Sequence, residues 1–152
     1  MTIRPALADD ILPIVALAAV FHDSMLSRMG VSFDPAGFSF WLGQQIYNNP
    51  NFICRVAEDD DGGIVGMCGG IVSQNWMCPR EAIFTENGWF VHPDHRSGTT
   101  GIKLLDSLLS ELESCHTVTF ALMQTSPPGA QKVLERRGFK PLETHYMRKA
   151  EW

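Results

Sequence analysis

Apolar positions along the chain follow a helical rhythm first, then a strand rhythm, then an alternation of the two. Residues 2–6 read as a short edge strand ended by Pro5, with Asp9 or Asp10 placed to cap a helix. Ile11, Ile14, Val15, Leu17, Ala18 and Phe21 then share one helical stripe, with Pro13 in the first turn where a missing N–H costs little. Residues 25–33 read as a connection broken at Gly30. Asp34 caps a second helix with Pro35 at its first position. Its apolar face carries Phe38, Phe40, Trp41, Leu42 and Ile46, and Asn48-Asn49-Pro50 stops it. From Asn51 the period becomes two, predicting a strand over 52–58, an acidic turn over 59–63 and a hairpin partner over 64–74. Gly66, Gly69 and Gly70 inside that partner mark a bulge or a close approach by another backbone or a ligand.

Residues 76–80 read as a loop and 82–91 as the next strand. Asn87-Gly88 within it is either a two-residue hairpin turn or a bulge in one continuous strand, and local sequence does not decide. The strand stops at Pro93. A turn over 94–100 follows, and then Ile102, Leu104, Leu105, Leu108, Leu109 and Leu112 recur at helical spacing to about Ser114. A strand over 117–124, a helix over 129–137 capped by Gly138, and a final strand or strand pair over 139–149 complete the chain. The order β, α, α, β, β, β, α, β, α, β predicts an α/β (α+β) fold with a mostly antiparallel front and one parallel crossover at the back.

Strand, glycine-containing turn and helix start form an arrangement in which backbone N–H groups at a helix N-terminus hold an anion. Arg96 adds a fixed positive charge at the mouth of that turn, so the pattern predicts a phosphate or pyrophosphate there. A nucleotide P-loop fits poorly, because no Lys-Ser or Lys-Thr follows the glycine.

Composition narrows the partners. The 152 residues fit one domain, residues 1–152, large enough for its own core. A net charge of -5 argues against a nucleic-acid groove, which needs a basic field. The longest apolar runs fall short of the ~20 residues of a membrane span, so no membrane partner is expected. Asp9 and Asp10 interrupt the apolar start, which argues against a secretory leader. Four cysteines without C-x-x-C spacing read as reduced, mostly buried thiols of a cytoplasmic protein. The Asp59-Asp60-Asp61 run reads as a solvated hairpin tip. His92 and His95 flank Pro93 with no third ligand evident, so no metal is expected.

The segment Val91-His92-Pro93-Asp94-His95-Arg96-Ser97-Gly98-Thr99-Thr100-Gly101 resembles the acetyl-CoA-binding motif of the GNAT superfamily of N-acetyltransferases, V-x-P-x-[Y/H]-R-x-x-G-x-[G/A] followed by an apolar helix. Val133-Leu134-Glu135-Arg136-Arg137-Gly138-Phe139 resembles the family's closing segment, and Ile3-Arg4-Pro5-Ala6 with Asp9-Asp10-Ile11 its opening. The resemblance covers essentially the whole chain in the family's order. It implies a mixed, mostly antiparallel sheet of six to seven strands, splayed between the fourth and fifth, flanked by about four helices. It favours a bulge at Asn87-Gly88. Two positions depart from the pattern. Thr99 stands at the family's middle glycine, with Gly98 one place earlier, in an R-x-G-x-x-G form resembling some members, phage-encoded ones among them. Leu134 stands where many members carry a tyrosine that protonates the departing thiolate.

The resemblance implies transfer of an acetyl group from acetyl-CoA to a small-molecule or peptide amine by direct attack, without a metal. The alternative is a GNAT-fold binding or interaction module with little turnover. Homodimers are common in the family. The amine must be neutral to attack, so a base is useful, and holding amine and thioester together supplies much of the rate. Glu86, five residues before Val91, is the candidate base, and Tyr146 is a candidate replacement for the missing acid. The N–H of Phe90 or Val91 would polarise the thioester carbonyl. Arg96, Ser97, Gly98, Thr99, Thr100 and Gly101 would cradle pyrophosphate, and Ser126 would touch the coenzyme. Trp41, Trp76, Asp23 and Ser24 lie in regions that shape the acceptor site in this family. Cys115 beside His116 is a weak candidate nucleophile, since adjacency does not orient a pair.

Overall fold

The computed structural model describes residues 1–96 and 98–148. One five-stranded sheet has the order β1-β2-β3-β4-β5. Its strands are β1 (Thr2–Pro5), β2 (Phe52–Glu58), β3 (Ile64–Asn75), β4 (Cys78–Val91) and β5 (Thr117–Thr119). The first four pair antiparallel, and β5 joins β4 in parallel through the crossover helix α3 (Thr100–Leu109). The other helices are α1 (Ile11–Phe21), α2 (Pro35–Asn48) and α4 (Ala130–Glu135).

Alternation along β2 shows how the layers form. Val56 faces a cluster with Ile14 of α1 and Leu42 of α2, while its neighbour Ala57 faces the opposite cluster with Leu104 and Leu108 of α3. Helices therefore cover both faces of the sheet. Leu104, Leu105 and Leu108 of α3 are fully buried, and truncating one to alanine costs roughly 2–5 kcal/mol. Asp34 caps α2 as expected, its carboxylate accepting from the Ala36 N–H at 3.1 Å. Asp10, placed before α1, makes no such cap. It accepts from the Leu7 N–H at 2.7 Å and takes a two-pronged ion pair from Arg4, which also reaches Glu58. That network ties the first strand to the first helix and to β2.

Four expectations are corrected. First, the segment read as a connection after Phe21 is helical. A π turn (His22–Leu26) and a 3-10 turn (Ser27–Met29) continue α1 until Gly30 ends it in the left-handed region. The resulting run, Ala8–Met29, has 22 residues and an 18-residue window of mean hydropathy 1.4, long and apolar enough to cross a membrane by length and composition. Its first turns pack as a core helix, with Ile14 and Leu17 buried against α2 and the sheet. Second, the expected loop over 76–80 is mostly strand: β3 and β4 meet at a two-residue turn, Trp76-Met77.

Third, the expected strand over 117–124 ends at Thr119. Fourth, no strand forms over 139–148, so five strands stand where six to seven were expected. Leu142, Tyr146 and Met147 there are exposed, so this segment buries too little to offset the entropy of ordering it as a strand. Lys149, the expected end of that strand, lies outside the described residues.

The alternatives at Asn87-Gly88 are resolved in favour of the bulge. Gly69 pairs with Gly88 and Gly70 with Glu86, leaving Asn87 as the extra residue in one continuous β4. Gly70 is required by close approach: a Cβ there would lie 2.2 Å from the Thr85 carbonyl oxygen and 2.6 Å from Phe84 Cζ.

Candidate active site

The parallel pairing of β4 with β5 spans three positions, Ile83 with Thr117, Phe84 with Val118 and Thr85 with Thr119. Beyond Thr85, β4 runs on to Val91 while the chain after Thr119 leaves it. Residues 86–91 therefore have β3 on one side and no strand on the other. Backbone groups turned toward that open side form an unpaired edge. A cleft of about 500 Å³ occupies the gap. Its walls are β4 from Glu86 to Val91, residues 121–123 and 126, the start of α3, and Ala130 and Val133 of α4, with Phe21, Met25 and Leu26 at the end of α1.

Glu86 stands where the splay begins. It is half-buried, and its Oε2 accepts from the Ala121 N–H at 3.2 Å across the gap. Loss of solvent raises its pKa from 4.5 to about 7, and the hydrogen bond from Ala121 offsets this in part. The carboxyl is thereby poised to exchange a proton near neutral pH.

At the other end of the cleft Arg96 folds back onto β4. Its Nε donates to the Val91 carbonyl oxygen at 2.8 Å, and its guanidinium carbon lies 4.9 Å from the centre of the Phe90 ring. Burial lowers its pKa, and among the described residues no carboxylate pairs with it. A fixed cation thus lines the cleft beside the start of α3, where Gly98 and Gly101 also line it. Residues that hold an anion need free donors there, and this turn has both a guanidinium and helix N-terminal N–H groups.

Other candidates are distributed unevenly. Phe90, Val91 and Ser126 line the cleft. The Ser126 hydroxyl accepts from the Met123 N–H at 2.9 Å, so it also fixes the turn it stands on. Thr99 precedes α3 and is exposed; Thr100 opens the helix and is buried; neither lines the cleft. Ser97 lies outside the described residues. Tyr146 is 94% exposed and away from the cleft, so the replacement acid expected there is not brought to the site. Leu134 is buried, and the α4 residues that line the cleft, Ala130 and Val133, carry no proton.

His116 donates its backbone N–H to Ala82 and accepts from the Ala82 N–H at Nδ1, which pins the start of β5 to β4 rather than activating Cys115. Burial raises the Cys115 pKa, which opposes a thiolate. Among the described residues no group of three or more His, Cys, Asp or Glu side chains is arranged to hold a metal ion.

Two features escaped the sequence reading. Trp89 Nε1 donates to the Gly101 carbonyl oxygen at 3.0 Å, joining β4 to the first turn of α3. The only signal was an indole eleven residues before a helix start. The second is the wall made by Phe21, Met25 and Leu26, which depends on the π turn that carries α1 over the cleft. Trp76, at the β3–β4 turn, is 86% exposed and lines neither this cleft nor the cavity beside it. Trp41 lines that second cavity, whereas Asp23 and Ser24 line neither.

Comparison with known proteins agrees with this geometry. A transcriptional regulator from Bacillus halodurans C-125 superposes with a TM-score of 0.76 at 22% identity, over 99% of this chain and 99% of that one. A ribosomal-protein-alanine N-acetyltransferase from Brucella melitensis biovar Abortus 2308 gives 0.72 at 16% identity, over 99% and 100%. A predicted acetyltransferase from Clostridium acetobutylicum, solved with acetyl-CoA, gives 0.74 at 14% identity, over 97% and 95%. At these identities the likeness speaks for the fold. No curated protein matches the sequence. The family model described as acetyltransferase (GNAT) domain matches residues 50–141, more than half of the chain and the whole of the splayed sheet from β2 to α4, and the chain therefore belongs to the GNAT acetyltransferase family.

Proposed function

We propose that this chain is an N-acetyltransferase that takes an acetyl group from acetyl-CoA and passes it to a primary amine by direct attack. The observation that carries this reading is the placement of Glu86 where β5 parts from β4, at one end of a cleft whose other end holds Arg96 and the first turn of α3. The thioester supplies an activated acyl group whose thiolate departs without a strong acid. The chain's own residues do the rest. The unpaired edge of β4 receives an extended amide arm as a further strand would, and the N–H of Val91, turned away from β3 as that of Phe90 is not, donates to the carbonyl being attacked. Arg96 and the N–H groups near Gly98 and Gly101 hold the anionic end, with Ser126 beside them. Glu86 takes the proton of the ammonium, directly or through water, so that a neutral amine attacks. The four free cysteines support a reducing compartment, the cytosol, as its setting.

The apolar face of α4 favours a second reading, a coenzyme-binding module with little turnover, because Val133 and Ala130 bring no acid to the leaving thiolate. One pair of measurements separates the two. Calorimetric titration with acetyl-CoA reports binding, and release of free thiol in the presence of an amine panel reports turnover. The transferase reading expects both, with Glu86→Gln slowing thiol release about a hundredfold. Binding without thiol release from any amine favours the module. No binding by the parent protein overturns both.

A further inference from the structure

A second cavity, of about 370 Å³, opens against the first across the β4 bulge. The two share Phe21, Leu26, Asn87, Gly88 and Phe90, so the second adjoins the first at the bulge that follows Glu86. Six aromatic rings line it: Phe21, Phe33, Phe38, Trp41, Phe52 and Phe90. They form two groups, a chain of four rings and a pair. Phe33 meets Phe38 at 5.8 Å, Phe38 stacks on Trp41 at 5.8 Å, Trp41 meets Phe52 edge-on at 5.9 Å, and Phe21 meets Phe90 at 5.0 Å. No aspartate or glutamate is among the described residues that line it.

Its one titratable lining group works against polycations. His22 stacks on Phe33, its Nε2 donates to the Val31 carbonyl oxygen at 2.7 Å, and its Nδ1 lies 3.1 Å from an Asp23 carboxylate oxygen. Both partners are acceptors, and the bonds to Val31 and then Asp23 raise the imidazole pKa, favouring the protonated ring. A polyamine or a lysine-rich peptide would have to strip water from several ammonium groups in a cavity lined by no carboxylate, with cation–π contact alone to offset the loss. A flat apolar body instead meets ring faces and edges at favourable angles, and its single ammonium group is left at the bulge.

We propose that the second cavity takes a monoamine carried on an aromatic body, an arylalkylamine, as acyl acceptor. This rests on the transferase reading above for the reaction, and on the cavity alone for the ligand.

The test uses the full chain with 2-phenylethylamine, spermidine and a lysine-containing tripeptide. Thiol release with acetyl-CoA gives kcat/KM for each, and calorimetry gives binding of each amine and of acetyl-CoA separately. The expected result is a kcat/KM for 2-phenylethylamine at least tenfold above the other two. Phe33→Asp, a change in a loop outside the acetyl-CoA cleft, should lower it at least tenfold, narrow its lead over spermidine and keep acetyl-CoA affinity. Acetyl-CoA binding with spermidine or the tripeptide preferred overturns the arylalkylamine assignment and leaves the transferase reading standing. So does loss of acetyl-CoA affinity in Phe33→Asp together with an unchanged amine preference. Binding of 2-phenylethylamine that Phe33→Asp weakens, without acetyl-CoA binding, supports the cavity assignment and overturns the transferase reading.

Discussion

Glu86 is the one carboxyl that lines the cleft of the splayed sheet among the described residues. Its pKa is raised from 4.5 to about 7. A base must be ionised to accept a proton, so the pH profile of kcat/KM should show an inflection near pH 7 that Glu86→Gln removes. The same shift has a stability consequence. Between pH 4.5 and 7 the folded protein keeps a proton that the unfolded chain has released, so stability falls as pH rises through that window and levels off above it. The Gln variant, neutral throughout, lacks this decline. Urea denaturation at pH 4.5 and 8 should show the variant gaining roughly 2 kcal/mol on the parent, a figure reduced from the full linkage value because the carboxyl keeps contact with solvent. An inflection that survives in Glu86→Gln would assign it to another group. How far Glu86 was legible differs by property: its position before Val91 was readable by resemblance, whereas its elevated pKa comes from burial that no local sequence encodes.

At the scale of elements, β4 is the strand on which the site is built, and its bulge sets the direction of Glu86. Gly70 opposes that bulge, and a Cβ at Gly70 would also stand 2.9 Å from the Glu86 Cα. Two of its three nearest atoms are backbone and cannot swing aside. Gly70→Ala should therefore cost roughly 3 kcal/mol in denaturant titration, and a loss under 0.5 kcal/mol would show that the strand yields easily. The joint between β4 and α3 is the indole bond from Trp89 to Gly101. Trp89→Phe keeps an aromatic ring near Phe120 and removes that bond, for a loss of about 1 kcal/mol. Because the bond positions the first turn of α3, acetyl-CoA affinity should fall several-fold with it. Unchanged affinity would mean the turn is held by other contacts. The bounds of α2, its Asp34 cap and the β2–β3 hairpin were readable because each depends on residues within a turn or two. The Trp89 bond was not, because it is made only after two elements meet.

Across the whole molecule, the cleft joins parts distant in the chain: the end of α1, the open edge of β4, the start of α3 and the face of α4. Arg137 ties α4 to α3 by a two-pronged bond to Asp106, and the Thr125 hydroxyl reaches the Met25 carbonyl oxygen over the cleft. A ligand that spans these parts binds the folded state alone. Acetyl-CoA at a hundred times its Kd should then stabilise the protein by about 2.7 kcal/mol, a rise of several degrees in Tm. Arg96→Ala, which removes the cation from the mouth, should weaken binding about tenfold and shrink that rise. No shift for the parent would remove the coenzyme from the account.

The sequence by itself determined the element order as far as α4, the bounds of α2, the start of α3, the antiparallel front with one parallel crossover, and the glycine-containing turn whose pattern resembles the family's. These follow from periodicity and capping, which act over a few residues. Tertiary structure decided the rest. Between the bulge and the turn that local sequence left open at Asn87-Gly88, the bulge formed because β3 continues opposite it. The helix ran on past Phe21 to wall two cavities. Residues 139–148 stayed outside the sheet. Rings from α1, α2, β2, β4 and the loop at Phe33 converged on one pocket. Each of these outcomes depends on partners tens of residues away, whose burial and hydrogen bonding exist only once the chain has folded.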